Sequence, residues 1–232
     1  SELQRGAYSN TAIGEADTGC GEPMTVARTI QELEDAGRAG AHIEDQVNPK
    51  HCGHLDGKSV VDEDTAVKRI RAAADARRDE NFLLMARTDI RAIEGLDAAI
   101  DRAKALVDAG ADAIFPEAMR ELSEVEAMAN ALDVPILANM TEFGKSDLFS
   151  TQQLADVGVN IVIWPVSMPR IAMGAPERAL DELNREGHLP GKLGAMHHRA
   201  VLYQLVDYEA NSRCDTKVCP LYAHRLAGRL RS

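Results

Sequence analysis

Short apolar runs alternate with amphipathic stretches along most of the chain, and the alternation has a recurring punctuation. Asp35-Ala36-Gly37 leads to Ala41-His42-Ile43-Glu44, Asp108-Ala109-Gly110 leads to Ala113-Ile114-Phe115-Pro116-Glu117, and Asp156-Val157-Gly158 leads to Asn160-Ile161-Val162-Ile163-Trp164-Pro165. A glycine after the last helical turn supplies a left-handed stop, and a short loop then delivers a strand. The pattern predicts strands over 11–17, 40–45, 82–87, 112–117, 135–140 and 159–165. Several are near-continuous apolar runs, as expected of parallel strands covered on both faces. Between them, 24–36 places Met24, Ala27, Ile30, Leu33 and Ala36 on one stripe, and 97–109 does the same with Ala98, Ala103, Leu106 and Val107. Ser123-x-x-Glu126 and Ser150-x-x-Gln153 have the form of capping boxes for two more helices, and the last helices are predicted over about 167–186 and 193–209. From 210 to 232 the periodicity fades and basic residues gather, so a tail is expected there.

Repeated β/α units predict an α/β fold built on a parallel sheet. Six strands in that order suggest a TIM-type barrel, which needs eight. An open Rossmann-like sheet competes, but no G-x-G-x-x-G follows any strand. With 232 residues, 45% of them hydrophobic, the chain is expected to form a single domain over 1–232. The net charge of -11 argues against nucleic acid or an anionic membrane as the main partner. No segment supplies the roughly 18 consecutive apolar residues of a membrane span, and the first residues lack the form of a signal peptide. Four cysteines are too scattered for a disulfide scaffold, so a reducing cytoplasm is the expected home.

In such a barrel the functional side chains collect after the carboxyl ends of the strands. Those positions are charged or amide although the strand bodies are apolar. They are Glu15, Asp17 and Thr18; Glu44, Asp45 and Gln46; Arg87, Thr88 and Asp89; Glu117; Asn139, Thr141 and Glu142; and Ser167 and Arg170. The densest stretch, AGAHIEDQVNPKHCGHLDGK over 39–58, sets Cys52 between His51 and His54 and close to Lys50. A core segment has no use for so many ionisable groups, and an active-site loop is expected here. Oxygen ligands such as Glu15, Asp17 and Glu44 suit an octahedral divalent ion, Mg²⁺ or Mn²⁺. Arg87, Arg170 and Asn139 suit the carboxylates of a small polyacid, which guanidinium groups bind bidentately. Basic neighbours make a cysteine useful for proton transfer or attack, which singles out Cys52. Against this, a strand-end acid often only caps the next helix. A zinc site at Cys52 would need C-x₂-C or H-x₃₋₅-H spacing, which is absent.

Lys50-His51-Cys52-Gly53-His54 resembles the K-[KR]-C-G-H signature of the isocitrate lyase and phosphoenolpyruvate mutase superfamily. The flanking ADTGCGEP, LLMARTD, IFPEAM and PILANMTEFG are similar to its methylisocitrate lyase branch, and the likeness runs from about Ala16 to Val218. The resemblance implies a TIM-type (β/α)8 barrel of the isocitrate lyase family, lacking the first one or two β/α units that members carry ahead of the ADTG motif. It implies Mg²⁺ as cofactor, and a homotetramer with a C-terminal helix exchanged between subunits. The implied reaction is carbon–carbon cleavage of a small tricarboxylate, 2-methylisocitrate, to pyruvate and succinate. Asp17, Glu15 and Glu44 would form the metal shell and Cys52 would be the general acid. Lys50 and His54 would lie on a loop closing over the substrate, and Arg87, Glu117, Asn139, Thr141 and Arg170 would contact it. Glu15 stands where the family has Asp, and His51 where it has Lys or Arg. The alternatives are phosphonate chemistry of the mutase kind, or a non-catalytic homologue that works through subunit association.

Overall fold

The computed structural model describes residues 12–210 and 212–213, which fall into two compact units, one ending at Met168 and one beginning at Pro169. In the first unit the six apolar runs form β1 (Ile13–Glu15), β2 (Gly40–Glu44), β3 (Leu83–Thr88), β4 (Ala113–Pro116), β5 (Leu137–Asn139) and β6 (Ile161–Ile163). All pair in parallel and in chain order. β1 to β4 make one sheet, β5 and β6 a second, and a parallel bridge between Ile114 and Ile136 joins them. Helices follow the strands: α1 (Pro23–Asp35), α2 (Glu63–Ala76), the short α3 (Arg91–Glu94), α4 (Leu96–Asp108), α5 (Leu122–Asn130) and α6 (Thr151–Asp156). This is a sector of a TIM-type barrel, with six β/α units among the described residues.

Alternation along the strands sorts side chains onto two faces. Ala41, Ile43, Leu84, Ala86, Ile114 and Ile136 face outward and pack under Val26 and Ile30 of α1, Ile70 of α2 and Leu106 of α4. Each such Leu or Ile side chain, fully buried, contributes about 1.5–3 kcal/mol. The inner face holds Met85, Ala113, Phe115 and Leu137, packed with Leu83, Ile161 and Ile163. The parallel register aligns these positions in rows. Glu15, His42, Met85 and Ala113 form one row, and Glu44, Arg87 and Phe115 form the next toward the carboxyl ends. The inner face therefore turns from apolar to charged as it rises.

Besides the short α3, one helix of the first unit, α2, has no counterpart among the sequence expectations. Its buried stripe is Ala66, Arg69, Ile70 and Ala73, so alanine and an arginine stand where an apolar repeat would be sought. Arg69 spans to the strand ends, with Nε donating to Gly21 O (2.8 Å) and Nη1 to Gln46 O (3.0 Å). The Ser150–Gln153 capping box is present with both of its bonds. The box expected at Ser123 is not formed, because α5 begins at Leu122 with Glu121 in the cap position and Ser123 falls inside the first turn.

The chain then runs through α7 (Ser167–Glu186), a 3₁₀ turn (Pro190–Ala195) and α8 (Arg199–Leu205). The continuous helix expected over 193–209 is broken. His198 caps α8, its Nδ1 accepting from the Ala200 N–H (3.3 Å), so His197 and His198 precede a helix rather than ride on one. The expected tail from 210 lies almost wholly outside the described residues, as do Cys214 and Cys219. No helix among the described residues is long and apolar enough to cross a membrane.

Candidate active site

The loops after the strands carry the local strain of the first unit. Among its described residues, those other than glycine with positive φ are Asp17, Cys20, Ala118, Phe143 and Val166, and each follows a strand carboxyl end. Such backbone costs on the order of 1–3 kcal/mol per residue and gathers where function over-determines the chain.

Glu15, Asp17 and Glu44 each offer a carboxylate oxygen within 4.8 Å of the others. Glu15 and Asp17 are half-exposed, whereas Glu44 is buried and neither of its oxygens has a hydrogen-bond partner. Burial pushes the Glu44 carboxyl up to about 7, against the pull of Arg87 and Lys50. A buried carboxylate that accepts no hydrogen bond is short of a cation. The Lys50 ammonium stands in that place, 2.5 Å from Asp17 Oδ1, 3.1 Å from Glu15 Oε1 and 3.8 Å from Glu44 Oε2. Partial burial pulls the Lys50 pKa down, but its bonds to Asp17 and Glu15 outweigh this and raise it. Three converging hard oxygens already gathered around one positive charge fit a divalent ion such as Mg²⁺.

Lys50 belongs to a loop between β2 and α2 whose neck is tied by Val47 N–H donating to Ser59 O (2.9 Å) and Val61 N–H donating to Asp45 O (2.8 Å). The buried Gln46 amide holds the loop from beneath, donating to His51 O (3.0 Å) and accepting from His51 N–H (2.9 Å). Gly53 is pressed against the strand ends. A Cβ there would collide with the Glu117 side chain and lie 2.7 Å from Arg87 Nη2. The His54 side chain is nearly buried and locked: its Nδ1 accepts from Lys145 N–H (2.9 Å), and Nε2 faces Glu117 Oε1 at 3.0 Å. Gly144 makes room for that ring, since a Cβ would sit 2.5 Å from His54 Nδ1. Lys145 also pairs with Asp56, fastening the loop to the segment after β5. Cys52 is a free, exposed thiol on this loop.

Arg87 is the hub below it. Its guanidinium lies 3.0 Å from Asp89, 3.2 Å from Glu117 and 3.5 Å from Glu44, and over the Phe115 ring at 5.1 Å. Burial pushes the Asp89 and Glu117 carboxyls up. Arg87, with Lys58 for Asp89 and with the stronger His54 bond for Glu117, more than offsets this and holds both below the usual range. Asn139 Nδ2 donates to both Glu117 oxygens at 3.4 Å, and its Oδ1 accepts from Thr141 N–H (3.1 Å).

The structure thus gathers Glu15, Asp17, Glu44, Lys50, His54, Arg87, Glu117, Asn139 and Thr141 at one rim, with Cys52 on the loop above it. Arg170 lies on α7 in the second unit. Three side chains hold the rim without having been singled out. Asp45 accepts from Thr88 Oγ1 (2.6 Å), Asp89 N–H (2.9 Å) and Arg102 (3.2 Å). Lys58 and Asp89 pair at 2.8 Å in full burial. Asp45 and Asp89 were visible only as strand-end acids, and Lys58 only as a charge at the end of the dense stretch.

A parallel β/α sector whose carboxyl rim carries an acid cluster and a basic thiol loop defines a class. The chain belongs to the phosphoenolpyruvate phosphomutase family, which matches residues 11–184, within the isocitrate lyase superfamily. Among its relatives it is 54% identical over 204 residues to a probable 2-methylisocitrate lyase of Corynebacterium glutamicum, covering 88% of this chain and 66% of that one. To the 2-methylisocitrate lyase of Salmonella typhimurium it is 47% identical over 195 residues, covering 84% of this chain and 66% of that one. The solved structure of 2,3-dimethylmalate lyase superposes with a TM-score of 0.81 at 33% identity, covering 94% of this chain and 72% of that one. The chain spans just under two thirds of the length of these curated relatives.

Proposed function

We propose that this chain carries the catalytic rim of a Mg²⁺-dependent carbon–carbon lyase that cleaves 2-methylisocitrate to pyruvate and succinate. The observation that carries the reading is the cluster of Glu15, Asp17 and Glu44 around a cation position, flanked by Arg87 and roofed by the Cys52 loop. Its relatives named as 2-methylisocitrate lyases supply the substrate. Bound Mg²⁺, held by those three carboxylates, would polarise the substrate oxygens and favour the forming α-keto acid.

The chain's own residues bind, orient and move the proton. Arg87 and Asn139 meet substrate carboxylates, with Glu117 and Thr141 fixing their directions. The substrate hydroxyl gives up its proton and its oxygen becomes the ketone of pyruvate. The bond to the neighbouring carbon breaks with its electron pair staying on the succinate carbon. That carbon takes a proton from the Cys52 thiol, and the proton released from the hydroxyl restores the thiol over the cycle. Lys50 and His54 place the loop that delivers Cys52. We also propose a homo-oligomer, supported by exposed apolar side chains such as Ile171, Met173 and Leu180 on α7. The free, exposed thiols of Cys20 and Cys52 suit a reducing cytoplasm.

The test is pyruvate release from 2-methylisocitrate with added Mg²⁺, abolished by Cys52→Ser. No pyruvate at any Mg²⁺ concentration from a chain folded by circular dichroism would favour a non-catalytic homologue. Conversion of phosphoenolpyruvate seen by ³¹P NMR would favour the mutase.

A further inference from the structure

A ring of polar contacts closes through the loop. His54 meets Glu117 at 3.0 Å, Glu117 meets Arg87 at 3.2 Å, and Arg87 meets Asp89 at 3.0 Å. Asp89 meets Lys58 at 2.8 Å, and Lys58 Nζ donates to Gly53 O at 2.5 Å, the residue beside His54. Lys58 and Asp89 are the most deeply buried ion pair of the site, with side chains 3% and 0% exposed. The proposed reaction uses neither, and Lys58 has no contact with the acid cluster around Lys50 among its hydrogen bonds and ion pairs.

We infer that Lys58 and Asp89 are positioning residues that latch the loop and couple its closure to the alignment of Arg87. An ammonium is costly to bury unless its donors are met. Here one acceptor, Gly53 O, belongs to the loop, and the other, Asp89, also orients the guanidinium of Arg87. Lifting the loop strips Lys58 of an acceptor, and turning Asp89 strips both Lys58 and Arg87 of one. The favoured states are therefore loop down with Arg87 aligned, or both released together. A polyanion that engages Arg87 draws the loop down, and Cys52 reaches the site only in that state. The inference rests on the lyase reading for its catalytic consequence, while the latch itself is a statement about the loop.

The experiment compares Lys58→Met, Asp89→Asn and the double variant by amide hydrogen exchange. Each single variant should speed exchange across residues 50–57 by about tenfold while β4 and α4 keep their protection. The double variant should exchange no more than about twofold faster than the faster single one, because both break the same link. With 2-methylisocitrate, Lys58→Met should lower kcat/KM about a hundredfold, with Mn²⁺ affinity by calorimetry undiminished because Lys58 contacts none of the three carboxylates. Unchanged loop exchange in Lys58→Met, multiplying effects in the double variant, or a parallel loss of Mn²⁺ affinity would overturn the latch. Should Lys58→Met fail to fold, Lys58→Gln, which takes the charge from Asp89 and falls an atom short of Gly53 O, carries the same comparison. An unmodified chain that turns nothing over would sink the lyase reading and leave the exchange comparison to decide the latch.

Discussion

Arg87→Met removes the cation on which three buried carboxylates depend. The arginine is 6% exposed and lies 3.0 to 3.5 Å from Asp89, Glu117 and Glu44. Breaking a buried ion pair by deleting one partner costs about 3–5 kcal/mol. The three contacts do not add, because Asp89 keeps Lys58 and Glu117 keeps His54, so about 3–5 kcal/mol is expected for the whole substitution. Set against a typical net stability of about 5–15 kcal/mol, that is a large share. The measurement is urea unfolding followed by circular dichroism in the presence of a chelator. Acid sharpens the test. Asp89 and Glu117 are held below the usual carboxylate range, so the stability they contribute is present above their unfolded values and is lost as pH falls through the folded ones. Without Arg87 both carboxyls rise, so the variant lacks that contribution near neutrality. Its deficit should narrow as pH drops below about 4, the unfolded carboxylate range, where the native chain loses the same contribution. A deficit below about 1 kcal/mol near neutrality, or one that widens on acidification, would refute the charge balance drawn around Arg87.

Three further outcomes follow from the same geometry. Gly53→Ala puts a methyl into the Glu117 side chain and against Arg87, so the loop must ride up. Turnover should fall at least about a hundredfold while the melting temperature moves by only a few degrees, because an outlying loop absorbs the clash. Lys50→Met removes the ammonium from the acid cluster, and Mn²⁺ binding by calorimetry should tighten by about tenfold; unchanged affinity would mean that Lys50 does not compete for the cation position. Ser150→Ala deletes one half of the α6 capping box and should cost about 1 kcal/mol in urea unfolding with kcat unaffected.

The strands were legible because a parallel strand covered on both sides reads as an apolar run, and for β2, β4 and β6 a Gly stop at Gly37, Gly110 or Gly158 precedes it. The site was legible for a related reason, since charge at the end of an apolar run has nowhere to go but the rim. Helix α2 escaped because its inward face is built on Ala66, Ala73 and the aliphatic stem of Arg69, which a search for apolar periodicity passes over. The cap at Ser123 was misplaced because a serine one residue inside a helix looks, in sequence, like one at its border. Lys58 was passed over for a deeper reason. Its role depends on Gly53 O and Asp89, one a backbone group of the loop and the other 31 positions away, and neither leaves a local signature.

The charges of the rim also argue for what it binds. Glu15, Asp17, Glu44, Asp89 and Glu117 are set against Lys50, Lys58 and Arg87, so five carboxylates face three cations. His54 enters the rim as a hydrogen-bond partner of Glu117, held by the Lys145 N–H on its other nitrogen. Two positive charges are wanting, and Glu44 registers the shortage directly, with its carboxyl pushed up to about 7 and no donor on either oxygen. A trianionic substrate entering that field would be repelled, because uncompensated like charges in a poorly solvated site interact strongly. One divalent ion among Glu15, Asp17 and Glu44 would bring two positive charges to where the shortage is felt. It would occupy the place that the Lys50 ammonium fills in this structure, which is why the two are expected to compete.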